Sequence, residues 1–85
     1  MESITISSLV YVLECEQDKY YIGKTHHLNM RLAQHWEGKG AKWTKLYKPI
    51  KLLRVIMNET EEKVAKDYIA LFGKENVRGG SWTRC

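Results

Sequence analysis

Leu9-Val10-Tyr11-Val12-Leu13 is a run of aliphatic, β-branched and aromatic residues, and Tyr20-Tyr21-Ile22 is a second, separated by the polar segment 14–19. Two such runs around a polar connection predict a β-hairpin. With the turn centred near Glu16, Tyr11 lies opposite Tyr21, and both rings leave one sheet face because strand side chains alternate. From Thr25 or Asn29 the period changes. Leu28, Leu32 and Trp36 recur at helical spacing until Gly38 and Gly40 end the helix. Arg31 and His35, four residues apart, form a second stripe beside the apolar one, at a border between core and solvent.

The segment Pro49–Met57, with Ile50, Leu52, Leu53, Val55 and Ile56, predicts a third strand, followed by the polar Asn58-Glu59-Thr60. A second helix then starts, with Asn58 or Thr60 accepting its first backbone N–H bonds and Val64, Tyr68, Leu71 and Phe72 forming its buried face. Gly73 stops it. The expected architecture is α+β: a three-stranded antiparallel sheet flanked by helices, in the order β-β-α-β-α.

Eighty-five residues give room for one modest core, so the whole chain, 1–85, is expected to be a single domain. Hydrophobic residues at 44% and charged residues at 28% exclude a disordered tail or a fibre. No apolar run approaches the roughly 20 residues of a membrane span, and residues 1–8 lack the pattern of a secretion signal, which points to a soluble intracellular protein. Cys15 and Cys85 are read as plain thiols rather than a disulfide framework. The abrupt ending Gly79-Gly80-Ser81-Trp82-Thr83-Arg84-Cys85 suits a fragment of a longer protein.

The net charge of +4 becomes informative through its distribution. Lys39, Lys42, Lys45, Lys48, Lys51 and Arg54 recur at every third position, with no Asp or Glu between positions 38 and 54 and with Trp43 and Tyr47 among them. One reading is a polyanion contact, in which cations meet phosphates and rings stack on exposed bases. The other is a solvated loop and edge strand that carries lysines against aggregation, with Trp43 and Tyr47 packed inward. Composition does not choose between them. Lys24 and Arg78 are further candidates for phosphate contact. His26 and His27 adjoin the helix entry without a Cys or carboxylate nearby, so no zinc site is expected.

Tyr-Ile-Gly at 21–23, Leu-Val-Tyr at 9–11, and Arg31 and His35 on one helix resemble the GIY-YIG nuclease family. The resemblance runs from about 9 to 82. Its segments are Tyr20-Tyr21-Ile22-Gly23-Lys24-Thr25, Arg31-Leu32-Ala33-Gln34-His35, Trp43-Thr44-Lys45-Leu46-Tyr47-Lys48-Pro49-Ile50 and Asn76-Val77-Arg78-Gly79-Gly80-Ser81-Trp82. Leu9-Val10-Tyr11 stands where the family has Gly-Ile-Tyr, keeping the Tyr and losing the Gly.

The resemblance implies a metal-dependent endonuclease that hydrolyses DNA phosphodiester bonds, with Tyr11 and Tyr21 around the attacking water, Arg31 on a phosphate oxygen and Glu61 on Mg²⁺ or Mn²⁺. His35 is a candidate for phosphate contact or proton relay. The physical demands agree: a phenol is a poor base at neutral pH unless cations lower its pKa, and a guanidinium supplies charge in a fixed fork. Among the acidic residues of the second helix, Glu61 shares a face with Val64, Ala65 and Tyr68, Glu62 is rotated towards solvent, and Asp67 is the alternative ligand. Lys24, Lys42, Lys45 and Arg78 are the expected nucleic-acid contacts. DNA is the expected partner, although nothing in the sequence discriminates against the 2′-hydroxyl of RNA, with a further domain, DNA shape or a protein partner supplying specificity. The alternatives are a catalytically degenerate DNA-binding module and a small basic structural protein.

Overall fold

The computed structural model describes residues 9–79. Expectations that fall on residues 1–8, Gly80, Ser81, Trp82 and Cys85 lie outside the described residues. The elements are β1 (Leu9–Cys15), β2 (Lys19–Thr25), α1 (Leu28–Trp36), α2 (Lys42–Leu46), β3 (Pro49–Met57), α3 (Glu61–Phe72) and β4 (Val77–Gly79). The α+β class holds, but the sheet has four strands and is mixed, in the order β3-β1-β2-β4. Strands β1, β2 and β3 pair antiparallel as expected, while β4 adds to the free edge of β2 in parallel. Two elements are therefore additional to the predicted order, α2 and β4. Both are short, five and three residues, too short for hydrophobic periodicity to register.

The hairpin turn centres one residue later than expected. Glu16–Asp18 forms a tight 3₁₀ turn in which Gln17 and Asp18 take left-handed backbone angles, φ 62 and 59. Tyr11 consequently pairs with Gly23, and Tyr21 with Leu13. That is a two-residue shift of register, and an even shift returns each side chain to its own face. Tyr11 and Tyr21 still share a face, as diagonal rather than direct neighbours.

Alternation along β1 and β2 divides the core in two. Val10, Val12 and Ile22 pack under α3 with Val64, Ala65 and Tyr68, joined by Val77 of β4. Tyr11, Leu13, Cys15 and Tyr21 point the other way, where Trp43 of α2 and Leu28 and Leu32 of α1 cover them. Burial pushes the Cys15 thiol up to about 12, an inert thiol as expected.

The helix phases differ from the expectation, α1 in one position and α3 in two, Leu71 and Phe72. On α1 the inward arc runs Leu28, Leu32, His35, a 4-then-3 spacing. His35 is thus completely buried and Trp36, one step around the helix, is 47% exposed. On α3 the inward arc passes through Val64, Ala65, Tyr68 and Ile69, which leaves Leu71 beyond its edge and 71% exposed. Phe72 is half-open and stacks on Tyr20, ring centroids 4.4 Å apart. The cap of α3 is Thr60, whose hydroxyl accepts the Lys63 N–H, and Gly73 ends the helix at φ 92. Among the described residues no helix is long and apolar enough to cross a membrane.

Candidate active site

Strand pairing brings Tyr11 and Tyr21 to ring centroids 6.3 Å apart, and α1 lowers His35 onto both, at 5.6 and 5.0 Å. The Tyr11 ring lies over Gly23, where a Cβ would collide with the phenolic oxygen. Gly40 gives the same clearance to His35, because a Cβ there would strike Nδ1. Two glycines thus leave the room that these rings occupy.

The hydrogen bonds around His35 run in one direction. Thr44 Oγ1 lies 2.9 Å from the Ala41 carbonyl and donates its single proton there. It must therefore accept from His35 Nδ1, 2.9 Å away. Burial, aided by the Arg31 charge, pulls the imidazole down to about 4, so the ring is neutral at pH 7. A neutral ring protonated on Nδ1 presents a lone pair on Nε2, and the Tyr11 hydroxyl donates to it over 2.7 Å. His35, expected at the border with solvent, is the inner partner of a buried chain from Tyr11 to Ala41.

Arg31 adjoins both phenols, half-buried, with one guanidinium nitrogen donating to Gln34 Oε1 at 2.8 Å. Burial works against its charge, but Tyr11 and Tyr21 outweigh that and hold the group more firmly protonated. The phenols do not become bases in return. Burial raises Tyr11 above the ordinary phenol range, Tyr21 adds to this, and the downward pull of Arg31 does not compensate. Tyr21 behaves alike: burial raises it, Arg31 opposes and Glu61 adds to the rise. The depressed phenol expected from a neighbouring cation is therefore absent, since desolvation wins.

The field of Glu61 reaches both phenols. Glu61 opens α3 on the middle of its inward arc and is half-buried, whereas Glu62 is exposed and Asp67 faces solvent beside Lys63 at 3.9 Å. Among the described residues no three His, Cys, Asp or Glu side chains gather into a metal cluster, and His26 and His27 are exposed.

The structure brings Tyr11, Tyr21, Arg31 and His35 together; Glu61, on the helix that covers the other sheet face, acts on the phenols through its charge, and the basic candidates are spread around them. Lys24 pairs with Val10 and so belongs to the sheet face opposite the phenols. Lys42 and Lys45 are exposed on α2, next to Thr44. The Arg78 guanidinium lies 4.4 Å from the Trp43 ring and donates to the Lys74 carbonyl. Trp43 is buried and bonds the Tyr20 carbonyl through Nε1, Tyr47 packs on it, and Lys51 pairs with Glu14. For these three residues the inward-packed, edge-strand reading of the basic segment is correct.

Comparison with known proteins matches residues 7–74 to the GIY-YIG catalytic domain. The chain belongs to the GIY-YIG family. This GIY-YIG chain is 40% identical over 74 residues to a UPF0213 protein of Streptococcus pyogenes serotype M5, covering 87% of the chain and 79% of the relative. A UPF0213 protein of Cupriavidus necator is 39% identical over 62 residues, 73% of the chain and 67% of the relative. A UPF0213 protein of Streptococcus pneumoniae is 52% identical over 44 residues, which span 52% of the chain and less than half, 44%, of that relative. No solved structure matches at a significant level.

Sequence reasoning did not place Thr44, Gly23 or Gly40 against the site side chains of this GIY-YIG chain. Gly40 reads as a helix stop, and Thr44 sits in a lysine-rich segment whose helix is too short to show a phase. The signal that finds Thr44 is chemical: a buried histidine needs a partner for each ring nitrogen.

Proposed function

We propose that the chain is a metal-dependent endonuclease hydrolysing DNA phosphodiester bonds, its catalytic groups held in one domain. The observation that carries the reading is convergence: two phenols from the hairpin pack against each other and against the imidazole of α1, with the charges of Arg31 and Glu61 acting on both phenols. Hydrolysis needs a base for water, positive charge for the extra negative charge on phosphorus, and neutralisation of the leaving oxygen.

Tyr11 is protonated in the free protein, so it serves as base by passing its proton on. As water gives a proton to the Tyr11 oxygen, Tyr11 gives its own to His35 Nε2, and the imidazolium keeps Nδ1–H on Thr44. His35 is poorly basic partly because Arg31 is charged, and a phosphate seated on Arg31 cancels that field. Substrate thus raises the proton affinity of His35 when the relay is needed. Arg31 binds phosphate oxygens through parallel N–H donors, and Tyr21 donates to the reacting phosphate from the other side.

Glu61 is one half-exposed carboxylate, a donor set that fits Mg²⁺ or Mn²⁺, which keep most coordination positions for water and phosphate oxygens. Without a cation its charge hinders deprotonation of both phenols and repels phosphate, so its position favours catalysis only as a metal ligand. When bound, the ion supplies positive charge to the reacting phosphate and the leaving oxygen.

Incubation with branched, nicked and linear DNA, with Mg²⁺, Mn²⁺ or a chelator, tests the reading: cleavage is expected with metal and not with chelator. Glu61→Gln is expected to bind DNA at least as well as wild type while losing metal-stimulated cleavage. If Asp67→Asn has that phenotype and Glu61→Gln stays active, the ligand moves to Asp67. Tight binding with no cleavage under any metal replaces the nuclease with a DNA-binding module.

A further inference from the structure

A cleft of about 380 Å³ opens between the C-terminal turn of α1 and α2. Its floor is His35 and Thr44, both buried, and its rim is Trp36, Glu37, Lys45 and Lys48, all exposed. The floor is the back of the candidate active site, since the imidazole that meets Tyr11 through Nε2 meets Thr44 through Nδ1. Trp43 is buried under Arg78 and Tyr47. Trp36 thus opens a large aromatic face to solvent in this basic region. Among the described residues no carboxylate forms an ion pair with the Lys45 or Lys48 ammonium, although the Lys48 backbone N–H donates to Glu16 Oε1 at 3.3 Å, whereas Glu37 faces Lys39 at 4.0 Å. The last carbonyls of α1 accept bonds from Glu37, Gly38 and Lys39 and do not compete for a ligand.

We propose that this cleft receives one unpaired nucleotide of the substrate strand, its base against Trp36 and its flanking phosphates on Lys45 and Lys48. The proposal rests on the nuclease reading for the identity of the strand at Arg31. One turn of α1, about 6 Å, separates Arg31 from His35, the axial reach of about two nucleotides. A strand held at Arg31 has to extend at least that distance along α1 to reach the cleft behind His35. Bases inside a duplex are stacked on one another and offer Trp36 no free face, so the cleft selects flaps, gaps and single strands over continuous duplex. Stacking on one aromatic ring corresponds to about tenfold to a hundredfold in affinity. Glu37 meets the amino or imino donors of the base and disfavours a bare phosphate at its end of the cleft.

The test is fluorescence anisotropy of the full chain, in chelator to prevent cleavage, with a blunt, fully paired two-strand duplex and the same duplex carrying one unpaired 2-aminopurine. Wild type is expected to bind the second probe about tenfold more tightly and to quench its emission. Trp36→Ala brings the affinity ratio to about one and restores emission, and Trp36→Phe recovers most of both. Lys45→Ala with Lys48→Ala weakens binding and lowers the salt slope by about two. A wild-type ratio of one with unquenched emission overturns the proposal, as does an unchanged ratio in Trp36→Ala. The quenching in wild type stands as a readout should Trp36→Ala fold poorly. A Trp36-dependent ratio in a protein that cleaves nothing upholds the cleft and defeats the nuclease, while cleavage with no such ratio does the reverse.

Discussion

The two faces of the sheet take alternate residues from the same strands and differ in kind. Under α3, Val10, Val12, Ile22, Val64, Ala65 and Val77 form an aliphatic layer whose single buried phenol, Tyr68, closes its rim. Under α1 and α2, Tyr11, Tyr21 and His35 are as deeply buried, yet each carries a polar atom or a charge neighbour that burial has to satisfy. One face takes its stability from area removed from water. The other is a directed hydrogen-bond chain in which desolvation sets proton affinities. A hairpin of two seven-residue strands thus supplies an aliphatic scaffold and a polar candidate site at once, because the strand period of two assigns neighbours in sequence to opposite faces.

The comparison breaks most sharply at Arg31. Arg31→Ala is expected to lower cleavage by about a thousandfold with little change in melting temperature, and Arg31→Lys fails similarly because a point charge lacks the two-donor fork. Initial rates beside thermal melts check this, and a wild-type rate in Arg31→Ala removes the residue from the mechanism. On the opposite face, Ile22→Ala is expected to cost about 2–5 kcal/mol in urea unfolding while the rate per folded molecule is kept. A fall in rate without a fall in stability there would mean that the two faces are not separable.

A third effect is set by pH. His35 has its folded pKa pulled from 6.5 down to about 4, so between those values the unfolded chain binds the proton and the folded chain does not. Stability from this residue is full above about pH 6.5 and declines as pH falls towards 4, by up to about 3 kcal/mol. His35→Gln lacks that part of the slope, and equal slopes for both proteins in urea titrations at pH 7 and 4.5 contradict the buried neutral ring. The smallest effect belongs to the surface. Lys42→Ala and Lys45→Ala should each reduce the salt slope of DNA binding by about one while leaving stability unchanged, and an unaltered slope assigns these lysines to solvation alone.

Much of the scaffold is legible in the sequence because its signals are local. Strand β3 occupies Pro49–Met57 as the apolar run predicts, Thr60 caps α3 and Gly73 ends it. The candidate site is legible as a set of residue types and much less so as a geometry. Choosing Trp36 over His35 as the inward residue of α1 is an error of one residue, or 100° of helix rotation, and only packing against the sheet decides it. The hairpin register turns on two left-handed residues, Gln17 and Asp18, neither of which announces that backbone as glycine would. Strand β4 exists because the free edge of β2 accepts it, a long-range condition that Val77-Arg78-Gly79 cannot carry alone.

The order β3-β1-β2-β4 also ranks the molecule by how readily its parts open. Strand β4 is three residues long and holds one neighbour, so its amides exchange with solvent through small local openings. Strand β3 is longer but is likewise held from one side. The strands that carry Tyr11 and Tyr21 are each flanked on both sides, and the amides of the ladder between them exchange later than those at either rim. Partial opening therefore frees the rims, including the Arg78 cover over Trp43, before it separates the two phenols. The two candidate-site phenols belong to the slowest-exchanging unit of the fold, while the rims belong to faster ones.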